Sequence, residues 1–556
     1  MTPLFLALAC TRQNVIVTGG DDSTPAPADS DEETVPGPDT GDDTAQAGEP
    51  RLVYSPDGGG FVNSVEVTLS VEGGDADIEW CTADPNETAC NFTPYTAPFS
   101  LDESRMVHAR LSTDAEPHAR AFVEIDSSLA PWSSNIPVFV FWTEAGAPSD
   151  TEAHVPMGMV VLEPPDGGEL GLLDAAVDSG RARMRVRGSS SSGFDKKAYD
   201  LELWEAEIDD DRSEALLGLP ANGDWALYAP YHYDDALVRN PLAYGISNAI
   251  GRYAPRTAFM EMFLAERGRA VSSSDYIGVY VLVEEVERDP DRVDVTELLP
   301  EDVAEPEVTG GYIFKIDRTG TGESGFSAGS AGGEFEFQQG FVYVQPDEST
   351  IVRAQSNYLK DRIDNAGWAL AASDLVDPFS GLPYDEIIDV GSFIDHHIVN
   401  IVMKNPDAFR LSGYYFQDRE GLVNAGPVWD FDRAAGSADS RSYDPEWWDN
   451  QNETGDCTAM FTFGWYEALF EIPDFQDAYW TRFEGLLENE LSEDNLLGMI
   501  DALAEGLEEP ARRNSARWGS AGLEPSIADL EDWMRHRHRW MLACIQSEPD
   551  PRDCRG

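Results

Sequence analysis

Positive charge is what this chain lacks most: 38 lysines and arginines stand against 103 aspartates and glutamates in 556 residues, a formal net charge of −65. Proteins that grip nucleic acid or an anionic membrane need a basic face, so neither is expected as a partner for the chain. ATP is likewise repelled at long range unless its site is locally basic. Cysteine is scarce, at six, and no Cys-x-x-Cys or clustered His/Cys spacing points to zinc. The glycine-rich stretches at 319–323 and 329–333 are not followed by Gly-Lys-Ser/Thr, which excludes a P-loop and leaves mobile loops. Beyond Cys10 no apolar run is long enough to span a bilayer.

What the sequence does contain divides it into four segments. Residues 1–10 form a short apolar run ending in small residues before Cys10. It resembles the end of a bacterial lipoprotein signal, without the basic residues usual ahead of one, and implies a lipidated Cys10 as the only membrane contact. Residues 11–50 are rich in Asp, Glu, Gly, Pro, Ser and Thr, so they cannot bury enough apolar surface to order themselves and read as an acidic tether. Residues 51–130 alternate apolar and polar side chains at 64–71, 77–80 and 105–111 with turn signals between, which predicts a small all-β sandwich. Residues 131–556 have the composition of a mixed α/β enzyme, with strands at 276–284 and 310–317 and helical spacing at 358–373 and 390–404. The part from 483 to 545 reads as helical, with a break near 517–525. The fold class is therefore α+β.

Setting Cys10 aside leaves five cysteines, an odd number. Cys81 and Cys90 are spaced to close a small loop, while Cys457, Cys544 and Cys554 compete for a second bridge. Disulfide-permissive, extracytoplasmic surroundings are the simpler reading.

Two aspartates carry the chemistry. Asp407, in Lys404-Asn405-Pro406-Asp407, and Asp430, in Val428-Trp429-Asp430-Phe431-Asp432, each lie among hydrophobic residues, where an ionised acid needs a cation, a donor or a task. Residues 414–423 between them read as a hairpin turning at Arg419-Glu420-Gly421, which would bring the two acids together. At that range one is protonated or a divalent cation lies between them. Structural roles remain open for both: Asp407 in an Asn-Pro-Asp turn, Asp430 capping a helix into Arg433.

In order, the polar motifs run Arg187-Gly188-Ser189, Phe194-Asp195-Lys196-Lys197-Ala198-Tyr199, Asp234-Asp235-Ala236-Leu237-Val238-Arg239-Asn240, Val283-Glu284, Lys315-Ile316-Asp317, then the Asp407 and Asp430 pair. From about 136 to 545 this series resembles the CotH family of atypical protein kinases, and the β-module resembles the small sandwich appended to chitobiase-type enzymes. The resemblance implies a divergent protein-kinase-like fold that uses ATP and Mg²⁺ or Mn²⁺ to phosphorylate Ser or Thr of proteins. It makes Asp407 the residue that positions the substrate hydroxyl and Asp430 the metal-binding acid of the Asp-Phe-Gly position, here Asp430-Phe431-Asp432. Lys196 would contact ATP phosphates, with Lys197 as the alternative and Glu284 as its acid partner. Strand alternation puts Lys197 on the core face with Tyr199, Leu201 and Leu203, and Lys196 on the opposite face. Ser412 stands five residues after Asp407, where an asparagine usually binds a second metal; Asn405 or Asp432 are the substitutes. Arg239 either contacts ATP or pairs a buried acid such as Asp234, and His396-His397 reads as packing. The expected activity is an exported, lipid-anchored kinase of surface proteins, with basic substrates favoured by charge; the rival is an inactive, adhesive relative.

Overall fold

The computed structural model of the chain describes residues 49–554 except 88–89, 115, 190, 207–210, 321, 328–334, 336, 338, 450–458 and 548. Cys10, the acidic tether, the glycine-rich stretch at 329–333 and Cys457 lie outside the described residues. Strands dominate the first half and helices the second, an α+β arrangement.

The first strands make two facing sheets. Arg51–Ser55, Val65–Glu72 and Phe99–Leu101 form one; Gly59–Phe61, His118–Glu124, Arg105–Leu111, Ile78–Ala83 and Thr93–Pro94 form the other. Val67 and Leu69 from the first meet Ile78, Val107, Leu111 and Phe122 from the second in a shared core. This unit does not stand alone. Met106, Ala121 and Val123, on the reverse face of the second sheet, pack with Val138, Val140, Trp142 and Phe263 in another buried cluster. Alternation explains it: on His118–Glu124, Phe122 points into the sandwich core while Ala121 and Val123 point the other way, so both faces must be covered. Separating the chain near residue 130 would expose that second face.

Val138, Val140 and Trp142 belong to a closed seven-stranded barrel, in the order Val138–Thr143, Val155–Leu162, Asp178–Val186, Tyr199–Trp204, Asp224–Tyr228, Tyr276–Glu284 and Thr257–Glu266. A parallel pairing of Val138–Thr143 with Thr257–Glu266 closes it. Side chains alternate as a small barrel requires: Phe139 and Phe141 fill the interior with Met157, Met159, Leu201 and Leu282, while their neighbours face the sandwich. Helix Glu508–Trp518 lies against this barrel through Asn514, whose Oδ1 accepts from the Val279 N–H at 3.2 Å. Gly278 permits the approach, since a Cβ there would fall 2.4 Å from that same oxygen.

The rest of the chain surrounds a five-stranded sheet ordered Gly325–Phe326, Gly340–Gln345, Tyr312–Asp317, Gly413–Gln417 and Asn424–Ala425. Helices Arg239–Ala249, Arg353–Ala371, Val390–Met403, Pro473–Glu488, Glu493–Ala504 and Leu523–Ser547 pack around it in the largest core. No helix among the described residues is long and apolar enough to cross a membrane. The hairpin between the two aspartates is present, with Tyr415 opposite Ala425 and Phe416 opposite Asn424. The helical C-terminal part begins earlier than its spacing suggested, at Pro473, and its break after Trp518 is only four residues. Disulfides join Cys81 to Cys90 and Cys544 to Cys554, the latter tying the final turn to the last helix.

Candidate functional site

Helix Val390–Met403 ends because Lys404 turns left-handed, at φ 49°. That turn swings Asn405 and Asp407 beneath the segment carrying Asp430. Asn405 then ties the two loops together. Its Oδ1 accepts from the Asp407 N–H at 3.1 Å, and its Nδ2 donates to the Asp430 carbonyl at 3.1 Å. Asn405 thus braces the backbone, and its side chain is spent on that task rather than offered to a metal.

Asp407 and Asp430 are both buried, at 2% and 1% exposure. The Asp407 carboxylate is an ion-pair centre: Arg410 and Arg441 both reach its Oδ1, the latter at 3.0 Å. Arg441 also grips Asp439, which holds Arg433 at 3.0 Å, so one buried network orients Asp407. Two guanidinium groups on one carboxylate oxygen favour its ionised form.

Asp430 sits at φ 77°, a conformation that costs a non-glycine residue of order 1–3 kcal/mol and needs support. The support comes from helix Arg239–Ala249. Its Tyr244 Oη accepts from the Asp430 N–H at 2.9 Å, and its Asn240 Oδ1 accepts from the Phe431 N–H. The described residues that follow Asp430 form turns, so it caps no helix. Its Oδ2 accepts from Ser412 Oγ at 3.1 Å, while its Oδ1, buried, has no hydrogen-bond partner among the described residues. Burial, then the charges of Asp432 and Asp407, push the Asp430 carboxyl well above the ordinary range, against the Ser412 hydrogen bond.

Ser412 links Asp430 to a fifth element. Its Oγ also lies 3.5 Å from Asp317 Oδ2, on the strand Tyr312–Asp317. Register explains this: Lys315 stands opposite Tyr414, so Asp317, Lys315, Ser412 and Tyr414 share one face of the sheet. Lys315 Nζ lies 2.7 Å from Glu323 and 4.0 Å from Asp317. Burial opposes its charge, yet Tyr414, Asp317 and Glu323 outweigh burial and hold its pKa above the usual lysine value. Arg187, also neighbouring Tyr414, is held as a cation by Asp200 at 2.9 Å and by Glu285. Neither Lys315 nor Arg187 stood among the expected site residues; the alternation in Tyr-Ile-Phe-Lys-Ile-Asp was the signal that put the first on the face of Asp317.

The lysine pair is arranged otherwise than expected. Lys196 is the buried one, at 2% exposure, and Lys197 is half-buried. The strand starts only at Tyr199, so the two-residue alternation does not reach back to them. Lys196 Nζ donates to the carbonyls of Val279 at 2.5 Å and Pro230 at 3.1 Å and to Asn514 Oδ1 at 2.9 Å. It stitches the barrel to helix Glu508–Trp518, and desolvation drives its pKa far down despite Asp234. Lys197 Nζ donates to the Ser192 carbonyl at 2.8 Å. Glu284 pairs with Arg256 at 2.6 Å and accepts from Tyr253 Oη at 3.2 Å, so no Lys196–Glu284 pair forms. Arg239 pairs with Asp234 at 2.9 Å and reaches the Ala435 carbonyl at 3.3 Å, a brace on the loop after Asp430. His397 packs on Phe409 and bonds Tyr479 Oη and the Met460 carbonyl, both at 2.8 Å.

Among the described residues, no three His, Cys, Asp or Glu side chains assemble into a metal-binding group. The donors nonetheless suit a hard cation of one kind. Mg²⁺ is generally held by one or two carboxylates plus substrate phosphates rather than by an all-protein cage. A buried carboxylate with an unmet Oδ1, next to Asp432 and Ser412, fits that requirement.

The family model described as CotH kinase protein matches residues 184–541, well over half of the chain. No curated protein matches it. The match spans both aspartates, the hairpin between them, Lys315 and the supporting helix, and the chain belongs to the CotH kinase family.

Proposed function

We propose that this protein is an exported, lipid-anchored protein kinase that transfers the ATP γ-phosphate to Ser or Thr of surface proteins. The observation that carries the reading is the Asn405-braced pair: an ion-paired Asp407 beside an Asp430 whose Oδ1 is buried without a partner. Phosphoryl transfer needs alignment and charge neutralisation more than covalent chemistry from the protein. Asp407, fixed by Arg410 and Arg441, accepts and orients the attacking hydroxyl. Asp430 and Ser412, with Asp432 beside them, would hold Mg²⁺ or Mn²⁺. That cation neutralises phosphate charge when bound. Lys315 and Arg187, held charged beside Tyr414, are the cations that would meet the ATP phosphates, in exchange for part of their present pairing with carboxylates.

The acidic surface favours basic acceptor proteins by charge complementarity. Export and anchoring rest on the apolar run before Cys10, and the sandwich is an accessory packed on the barrel. An inactive, adhesive relative is the alternative, favoured by Asp432 in place of the Asp-Phe-Gly glycine and by Lys196 lying in the barrel seam. The test is transfer of labelled γ-phosphate from ATP to a basic, Ser-rich protein by the full chain, with Asp407→Asn and Asp430→Asn as controls. Incorporation lost in both variants is the expected result. No transfer, together with no stabilisation by ATP and Mg²⁺, would replace the kinase with the adhesive reading.

A further inference from the structure

Behind the Asp430 segment lies a cavity of about 290 Å³. Its walls come from four places: the end of helix Arg239–Ala249 with Arg252 and Tyr253, the segment Arg292-Val293-Asp294, helix Val390–Met403 through Ser392 and His396, and the sheet edge at Phe416 and from Asn424 to Val428. Gly426-Pro427-Val428 line it, and none of Asp317, Asp407, Asp430 or Asp432 does. The size is near the low end of small-molecule sites, roughly 300–1,000 Å³.

The wall chemistry defines the occupant. The cations of the lining are already matched, Arg252 with Asp395 at 2.8 Å and Arg292 with Glu287 and the Asp224 carbonyl, and its one acid, Asp294, stands exposed to solvent. Ser392 Oγ donates to the Asp389 carbonyl at 2.7 Å and accepts from the Ala425 N–H at 3.0 Å. Ser247 Oγ donates to the Arg252 carbonyl at 3.0 Å. An ionic ligand would therefore break existing pairs to find its own. The remaining wall is largely apolar, with Tyr253 and Phe416 suited to a flat ring. One polar group stands out. His396 is 5% exposed, its Nδ1 has no hydrogen-bond partner among the described residues, and burial lowers its pKa to about 4, so it is neutral near pH 7.

We propose that this cavity is a second ligand site, separate from the carboxylate cluster, for a small neutral heteroaromatic molecule that hydrogen-bonds His396. Its position couples it to the chemistry by construction. The segment from Gly426 to Val428 runs directly into Asp430, and the helix at its other wall is the one whose Tyr244 and Asn240 hold the Asp430 and Phe431 N–H groups.

The test uses the full chain with indole and benzimidazole as N–H probes and naphthalene as the probe without a polar group, read by saturation-transfer NMR and calorimetry. One indole or benzimidazole should bind per chain in the presence of saturating ATP. Asp294→Trp plugs the mouth from an exposed position and does not burden the core; it should abolish binding of all three probes. His396→Phe should weaken the N–H probes by about ten-fold, the value of one lost hydrogen bond, and spare naphthalene. Absence of binding, binding that survives Asp294→Trp, or competition by ATP would each overturn the site. Equal losses for naphthalene and indole in His396→Phe would overturn the role of His396.

Discussion

Removing the charge of Asp430 should stabilise the cation-free chain. The carboxyl is buried beside Asp432 and Asp407, and its folded pKa lies above the 3.8 of an ordinary aspartate. The folded state therefore holds a proton that the unfolded state gives up. Stability contributed by that proton is complete below about pH 3.8 and is lost as the pH climbs toward the folded pKa. While the folded group stays protonated, the loss runs at about 1.4 kcal/mol per pH unit. Asp430→Asn keeps the shape and an acceptor for Ser412 Oγ but cannot ionise. As the pH climbs above 3.8 the variant should gain on the parent, by at most about 1.4 kcal/mol per pH unit.

Other groups tilt the curve as well. Asp224 is raised to about 8 and Glu287 to about 7, each chiefly by burial, while burial lowers His396 to about 4 and His397 to about 3. These are common to both chains, so the difference between the chains isolates Asp430. Denaturant midpoints in EDTA, followed by fluorescence and far-UV circular dichroism together, give that difference where the two probes coincide. Two curves parallel in pH would refute the argument. A second signature follows from the same proton. Loading with Mg²⁺ and ATP requires the ionised carboxylate, so calorimetry in two buffers should show, below the raised folded pKa, a proton release by the parent that Asp430→Asn lacks.

Arg441→Met removes one of the two guanidinium groups on Asp407 Oδ1; turnover should fall on the order of 10²-fold with the ATP KM unchanged, and an equal rise in KM would remove its positioning role. Lys315→Met should raise the ATP KM by about ten-fold or more, whereas Lys196→Met should leave it alone and cost about 1–3 kcal/mol in chemical denaturation, because it strips a donor from buried carbonyls. The reverse ranking of the two lysines would restore Lys196 as the ATP lysine. Raising salt should increase kcat/KM for ATP and decrease it for a basic acceptor, since the charge of −65 repels one and attracts the other across distances that salt screens; the same sign for both would refute electrostatic selection.

The residues legible in the sequence were those whose partners are local or whose surroundings are improbable. Asp407 and Asp430 showed themselves as acids among apolar neighbours, and the hairpin between them follows from alternation around Arg419-Glu420-Gly421. Strand Tyr276–Glu284 was readable from its own side chains, because a barrel strand fixes its faces residue by residue. The expected faces of Lys196 and Lys197 came out reversed where that periodicity stopped. Residues 194–198 precede the strand, and the partner that decides the place of Lys196, Asn514, lies 318 positions away. Glu284 looked like the partner of a lysine because an isolated buried acid does not name its cation, and Arg256 supplies it from 28 positions off.

The same logic locates what a sequence cannot divide. A sandwich strand such as His118–Glu124, with Phe122 on one face and Ala121 and Val123 on the other, announces two packing partners without saying that one of them is the barrel. Arg441 announces nothing, yet it orients Asp407 from 34 positions away. In this chain the acids of the site are chemical anomalies and stand out, while the cations that hold them are ordinary surface-type residues until the fold buries them. With 103 acids against 38 bases, almost every buried cation must already be committed to a carboxylate or a carbonyl. Lys315 and Arg187 follow that rule: both stay charged beside Tyr414, and both are held there by carboxylates, Lys315 by Asp317 and Glu323 and Arg187 by Asp200 and Glu285.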